Sequence, residues 1–136
     1  MKTTTTVLQM WVRVVGAIMI VLGLSFWTGN LLRLISVHML LGITIVLALW
    51  TLAVLGAVAR APVGLVVVGF VWGVITPILG LTQDNLVPGS GHWVIQLLHL
   101  LVGLGAIGLA DSLARQIKRR QSANVTAQHA GTMGKR

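Results

Sequence analysis

The chain has very few acidic residues and no cysteine, and each absence excludes a class of protein. Of its 136 residues only two are acidic and 9% are charged, whereas 56% are hydrophobic. A soluble domain needs a charged surface, and these residues are too few to build one. Without cysteine, neither a disulfide framework nor a thiolate metal site can form. The composition therefore predicts an integral membrane protein.

The shortage of acids also narrows the functions that such a membrane protein can have. Coupled transport usually needs a carboxylate within the membrane that carries a proton or binds a cation. Here Asp84 falls in a predicted outer loop, and Asp111 is expected to pair with Arg115 one turn later. This placement disfavours a small multidrug-type exporter. No hydrolase triad or phosphate-binding glycine loop can be assembled either, so the sequence favours a protein without catalytic activity of its own.

Long apolar runs fill most of the chain. A helix of about 20 apolar residues crosses the ~30 Å hydrocarbon core of a bilayer. Four runs meet this criterion, at about 7–27, 31–59, 62–82 and 92–113. They predict an all-α, four-transmembrane-helix domain over residues 1–120, with Pro77 kinking the third span. The polar segment 121–136 is predicted to be a disordered tail.

The basic residues predict the orientation of the spans. Lys2, Arg60 and the cluster at 115–120 fall on one side, with Arg33 alone near the other. The positive-inside rule then puts both termini in the cytoplasm of a bacterial-type inner (plasma) membrane. Arg13, inside the first span, is expected to extend its head to water. The net charge of +8 is explained by this topology, and we expect no nucleic-acid partner.

The two halves of the chain resemble each other. Span two contains His38-Met-Leu-Leu-Gly42 and span four contains His99-Leu-Leu-Val-Gly103, the same His-x-x-x-Gly pattern 61 residues later. Spans one and three each carry a glycine pair with a spacing of seven, at an offset of 57 residues. These pairs are Gly16 with Gly23, and Gly73 with Gly80. The pattern predicts an integral membrane four-helix bundle built from two parallel-repeated helix pairs.

His38 and His99 are predicted to lie at equal depth. Each is about seven residues, or ~10 Å, from the outer end of its span. Ionisable side chains at such depth usually face the bundle interior and have a partner. Two neutral imidazoles on parallel helices can bind a haem iron from opposite faces. The alternative is structural, with each histidine hydrogen-bonded to a neighbour such as Ser36 or Thr44.

Four further residues are candidates for the same cofactor site. Gly42 and Gly103 are one turn from the histidines on the same helix face and would leave room for a flat macrocycle. Arg33 and His92 are predicted at the outer surface, where they would neutralise haem propionates. A zinc or copper site is disfavoured, because two histidines without a nearby carboxylate provide too few ligands.

The histidine segments carry a family resemblance. Gln96-Leu-Leu-His99 and His38-Met-Leu-Leu-Gly42 resemble the ligand helices of membrane four-helix b-type cytochromes, and in particular one half of haem A synthase. The resemblance covers spans two and four. In that family a glutamate commonly precedes a ligand by three residues, whereas here Ile35 and Gln96 hold those positions. The resemblance therefore implies haem binding and electron transfer, not haem oxidation.

The leading hypothesis is a small haem-b-binding membrane protein for electron transfer or redox sensing, with His38 and His99 as the iron ligands. Lacking a soluble redox domain, it would exchange electrons with a quinone or a redox partner subunit. One alternative is a cofactor-free accessory or assembly subunit of a larger membrane complex. Another is a small transporter or channel that uses the histidines as a proton relay. Each hypothesis is compatible with a homo-oligomer.

Overall fold

A computed structural model describes the backbone of residues 1–133 and the side chains of residues 1–126. Over this part of the chain the secondary structure is entirely helical. The four α-helices are α1 (Lys2–Trp27), α2 (Ile35–Val58), α3 (Val63–Thr82) and α4 (His92–Met133). Short 3₁₀ turns, Leu32–Leu34 and Gln83–Asn85, precede α2 and follow α3.

All four helices are long and apolar enough to cross a membrane, as the apolar runs predicted. Their outer faces carry large apolar side chains. Val7, Leu40, Val67 and Leu101, one from each helix, are 51–63% exposed. A water-soluble bundle would turn polar side chains outward at such positions. The exposed surface of the bundle is therefore apolar, as it is in proteins that are surrounded by lipid.

The fourth helix is longer than the predicted span. It continues past residue 113 to Met133, and so enters the segment 121–136 that we predicted to be disordered. Residues 134–136 lie outside the described residues. The extension has a physical reason, because residues 114–130 contain no glycine or proline and include many alanine, arginine and glutamine residues, which favour helix. Its apolar face also continues, since Ala114 and Ile117 are fully buried.

The helices do not form a square bundle. α2 and α4 contact each other and both remaining helices, whereas α1 and α3 make no contact within the described residues. The central pair runs in one direction, because His38 lies beside His99 at one end and Gly56 beside Leu113 towards the other. α1 packs against one side of this pair and α3 against the other.

The core is concentrated at the end opposite the histidines. Its largest cluster of buried apolar side chains includes Val12, Leu49, Leu52 and Leu113. Near the histidines the second cluster is much smaller, with Leu79, Ile95 and Val102 packed around one side of Trp72. The basic end is therefore the better-packed end of the bundle, and the histidine end has less apolar filling of its own.

Glycines allow two tryptophans to cross between helices. The Trp72 indole lies against Gly105 of α4 and donates a hydrogen bond of 2.9 Å to the Val102 carbonyl. The Trp50 indole lies against Gly73 of α3 and donates a bond of 3.2 Å to the Phe70 carbonyl. Each ring thus satisfies its N–H on a backbone carbonyl of the helix that it packs against.

Candidate functional site: the histidine pair

The structure brings His38 and His99 together. His38 is in the first turn of α2 and His99 lies two turns into α4. Their ring centroids are 6.3 Å apart, and their planes are inclined at 48°. The predicted proximity of the two imidazoles is therefore confirmed, although the pair is separated by 61 residues of sequence.

Each imidazole lies against a glycine of the helix that precedes it. A β-carbon added to Gly23 of α1 would lie 3.8 Å from the His38 Cε1 atom. One added to Gly80 of α3 would lie 3.2 Å from the His99 Cε1 atom. The Phe26 ring also packs edge-on against His38, with centroids 5.3 Å apart. The glycines that the sequence placed opposite the histidine helices thus leave space beside the rings themselves.

One ring nitrogen of each histidine lacks a partner among the described residues. The Nδ1 atoms of His38 and His99 are both buried and have no hydrogen-bond partner among the described residues. The structural alternative named Ser36 and Thr44 as partners. Thr44 instead donates to the Leu41 carbonyl at 2.7 Å, and Ser36 is exposed. Buried polar atoms are usually paired, so these two unpartnered nitrogens call for an explanation.

The two glycines predicted to make room for a macrocycle differ in their surroundings. A β-carbon at Gly103 would meet nothing within 4 Å, so open space adjoins α4 at this point. A β-carbon at Gly42 would lie 3.3 Å from the Met19 Cε atom of α1. The space beside Gly42 is therefore bordered by a thioether, a flexible side chain that readily changes its rotamer.

Arg33 and His92 lie just before the helices that carry the histidine pair. Arg33 is an exposed residue of the 3₁₀ turn that leads into α2, and it forms no ion pair within the described residues. His92 is the first residue of α4, and its Nδ1 atom lies 3.2 Å from the Leu86 carbonyl oxygen. Both cationic or potentially cationic groups are thus at the histidine end of the bundle, as the sequence predicted.

A polar cluster at the other end confirms one prediction and adds a contact that the sequence did not predict. Asp111 pairs with Arg115, as predicted from their spacing of one turn. The Arg13 Nε–H donates to Asp111 Oδ1 at 2.8 Å, a contact that the sequence did not predict, and the Arg13 side chain remains 52% exposed. Gln9 donates to the same oxygen at 2.7 Å and accepts a bond of 2.7 Å from Lys118.

This network between α1 and α4 was missed because its partners are about 100 residues apart in sequence. One signal was present. Asp111 is the single acid within the predicted spans, and Arg13 is the single base deep within the first span. Opposite charges at similar depths in a bilayer usually pair, since each is costly alone. The contact ties the ends of α1 and α4 together far from the histidines.

The number of available ligands limits what the histidine pair can bind. No group of three or more histidine, cysteine or acidic side chains lies together within the searched part of the chain. His38 and His99 therefore offer two nitrogen ligands. That is too few for a protein-only zinc site, but it is the number that a six-coordinate porphyrin iron takes from a protein.

No protein-family model, curated protein or solved structure matches this chain. The resemblance of spans two and four to haem A synthase therefore stays a prediction.

Proposed function

We propose that the chain is a small haem-b-binding integral membrane protein that serves electron transfer or redox sensing, with His38 and His99 as axial ligands. One observation carries the proposal, the 6.3 Å between the two ring centroids. Metal–imidazole bonds are about 2.0–2.1 Å long, which puts a ring centroid roughly 3 Å from the metal. Two imidazoles on opposite sides of one iron then have centroids about 6 Å apart.

The surroundings of the rings also fit a bound group. Each Nδ1 atom is a buried polar atom without a partner among the described residues. Gly23 and Gly80 keep side chains away from the rings, and Gly103 adjoins open space. Few buried apolar side chains pack together at this end of the bundle, and a bound cofactor would add apolar contacts there.

Haem bound between these histidines would supply a one-electron redox couple. In this proposal the protein holds the macrocycle through His38 and His99, and Arg33 with His92 neutralise its propionates at the outer surface. The apolar helices keep water from the iron. Since the described residues form one small bundle, electrons would pass to and from a quinone or a redox partner subunit.

The proposal includes a bacterial-type inner membrane with both termini in the cytoplasm. Its support is the distribution of charge along the bundle. Lys2, Arg60 and the basic cluster at 115–120 belong to the end opposite the histidines, whereas Arg33 is the single lysine or arginine at the histidine end. Under the positive-inside rule the basic end faces the cytoplasm and the histidines lie nearer the outer surface.

We further propose that the two helix pairs are parallel repeats, and equivalent contacts support this. Gly23 lies against His38, and 57 and 61 residues later Gly80 lies against His99. A second pair of equivalent contacts is made by different residue types. Arg13 binds Asp111, and the corresponding positions in the opposite halves are Phe70 and Trp50, which are also joined by a hydrogen bond.

The test is the haem content of histidine variants purified in detergent. We expect haem b in the wild-type chain, and loss of haem or of six-coordination in both His38→Ala and His99→Ala. His129→Ala, a histidine of the C-terminal segment, is the matched control and should retain the wild-type spectrum. Wild-type spectra in both single variants would refute the ligand assignment. A colourless protein after growth with ample haem would favour the cofactor-free accessory subunit.

A further inference from the structure

A second candidate site lies at the opposite end of the bundle. A cavity of about 440 Å³ is lined by Val58 and Ala59 at the end of α2, by Arg60 of the following turn, and by Arg120 and Asn124 of the α4 extension. It exists because α4 continues well past residue 113 and passes beside the turn between α2 and α3. Two of the lining residues are apolar, two are arginines and one is an asparagine.

Neither acidic residue of the chain forms an ion pair with these two arginines. The chain's two acidic residues are Asp84, which lies in the 3₁₀ turn after α3 at the histidine end, and Asp111, which already binds Arg13 and Arg115. Arg60 and Arg120 therefore line one cavity without an anion from the described residues. Two guanidinium groups in one concave site are suited to a phosphate, whose oxygens accept paired N–H bonds.

The backbone fixes Arg60 in an unusual conformation. Arg60 has a φ of 56°, in the left-handed region that glycine usually occupies after a helix. Its N–H bonds the Ala57 carbonyl at 3.0 Å, and the Ala61 N–H bonds the Gly56 carbonyl at 2.9 Å. Buried Ala61 and the following proline hold the turn. The turn thus fixes the backbone from which the Arg60 side chain lines the cavity.

The position of the cavity indicates which phosphate it would meet. Val58 and Ala59 end a helix that is apolar enough to span a membrane, so the cavity lies where the hydrocarbon gives way to headgroups. Apolar residues beside arginines match the acyl chains and phosphodiester of a lipid better than a free anion in water. We propose that this cavity binds the phosphodiester headgroup of an anionic phospholipid. The inference depends on the membrane placement and not on haem binding.

The test uses native mass spectrometry of the full chain in detergent, with phosphatidylglycerol or phosphatidylcholine added. We expect one bound phosphatidylglycerol per chain in preference to phosphatidylcholine. Arg120→Gln should weaken that binding by about tenfold, the effect of losing one charge-assisted hydrogen bond. Arg119→Gln is the matched control, because Arg119 is the exposed neighbour of Arg120 and does not line the cavity, and it should bind as the wild type does.

Arg60→Gly separates lipid binding from folding. Glycine suits the φ of 56°, so this variant should keep the turn and fold at least as well as the wild type, yet bind phosphatidylglycerol about tenfold more weakly. Equal phosphatidylglycerol binding by the wild type, Arg60→Gly and Arg120→Gln would overturn the proposal. So would equal binding of the two lipids. Displacement of the lipid by millimolar inorganic phosphate would show a site for free phosphate and would also overturn it.

Discussion

Replacing Gly105 by alanine should destabilise the bundle, because the added methyl group has no space. Its β-carbon would lie 2.7 Å from the Trp72 Cζ2 atom and 2.9 Å from Nε1, whereas carbon atoms pack best at about 3.5–4.0 Å. The ring cannot move away cheaply. Its N–H is bonded to the Val102 carbonyl at 2.9 Å, and Gly105 lies only three residues further along the same helix.

The size of the effect follows from three contributions. Overpacking of this kind costs about 1–3 kcal/mol, and weakening the Trp72 hydrogen bond costs about 1 kcal/mol more. Alanine recovers roughly 0.5–1 kcal/mol, because it favours a helix more than glycine does. We therefore expect Gly105→Ala to lower the free energy of unfolding by about 1–3.5 kcal/mol.

Gly108 is the matched control for this prediction. It lies one turn further along α4, and a β-carbon there would meet nothing within 4 Å. Gly108→Ala should therefore be neutral or stabilising by up to about 1 kcal/mol. The assay is denaturant unfolding in mixed micelles, followed by circular dichroism. Equal stability of the two variants would refute the view that the Trp72 contact fixes α3 against α4.

Two further predictions use matched pairs. Gly80→Ala should lower haem occupancy or shift the absorption bands more than Gly23→Ala does. The added β-carbon would lie 3.2 Å from a histidine ring at Gly80, but 3.8 Å away at Gly23. Haem spectra of the two variants test this prediction, and identical spectra would contradict it. Asp111→Asn should lower thermal stability in detergent, because three side chains lose a carboxylate acceptor, whereas Asp84→Asn should not. Equal melting temperatures would contradict that network's role.

The spans and the histidine pair could be predicted from the sequence because both depend on local patterns. An apolar run of sufficient length can only be a buried or membrane helix. His38 and His99 sit at matching positions in two similar spans, so their proximity follows once the spans pack in parallel. The shared His-x-x-x-Gly pattern allowed this long-range contact to be predicted from a comparison of two short segments.

The remainder depends on packing between distant residues, which local patterns do not encode. Nothing near Arg13 in sequence indicates that α1 approaches α4 closely enough for a contact with Asp111. The length of α4 was underestimated because the predicted span ended where hydropathy fell, although helix-forming residues continued. That error also hid the cavity between Arg60 and Arg120, which exists only because α4 extends beyond the apolar core.

The central claim is that His38 and His99 bind one haem iron, and a reduced-minus-oxidised absorption spectrum of the detergent-purified protein tests it most directly. The account predicts a shifted Soret band with sharp α and β bands, the signature of six-coordinate haem b. A flat difference spectrum from protein produced with ample haem would contradict the claim. The orphaned imidazole nitrogens would then need another partner.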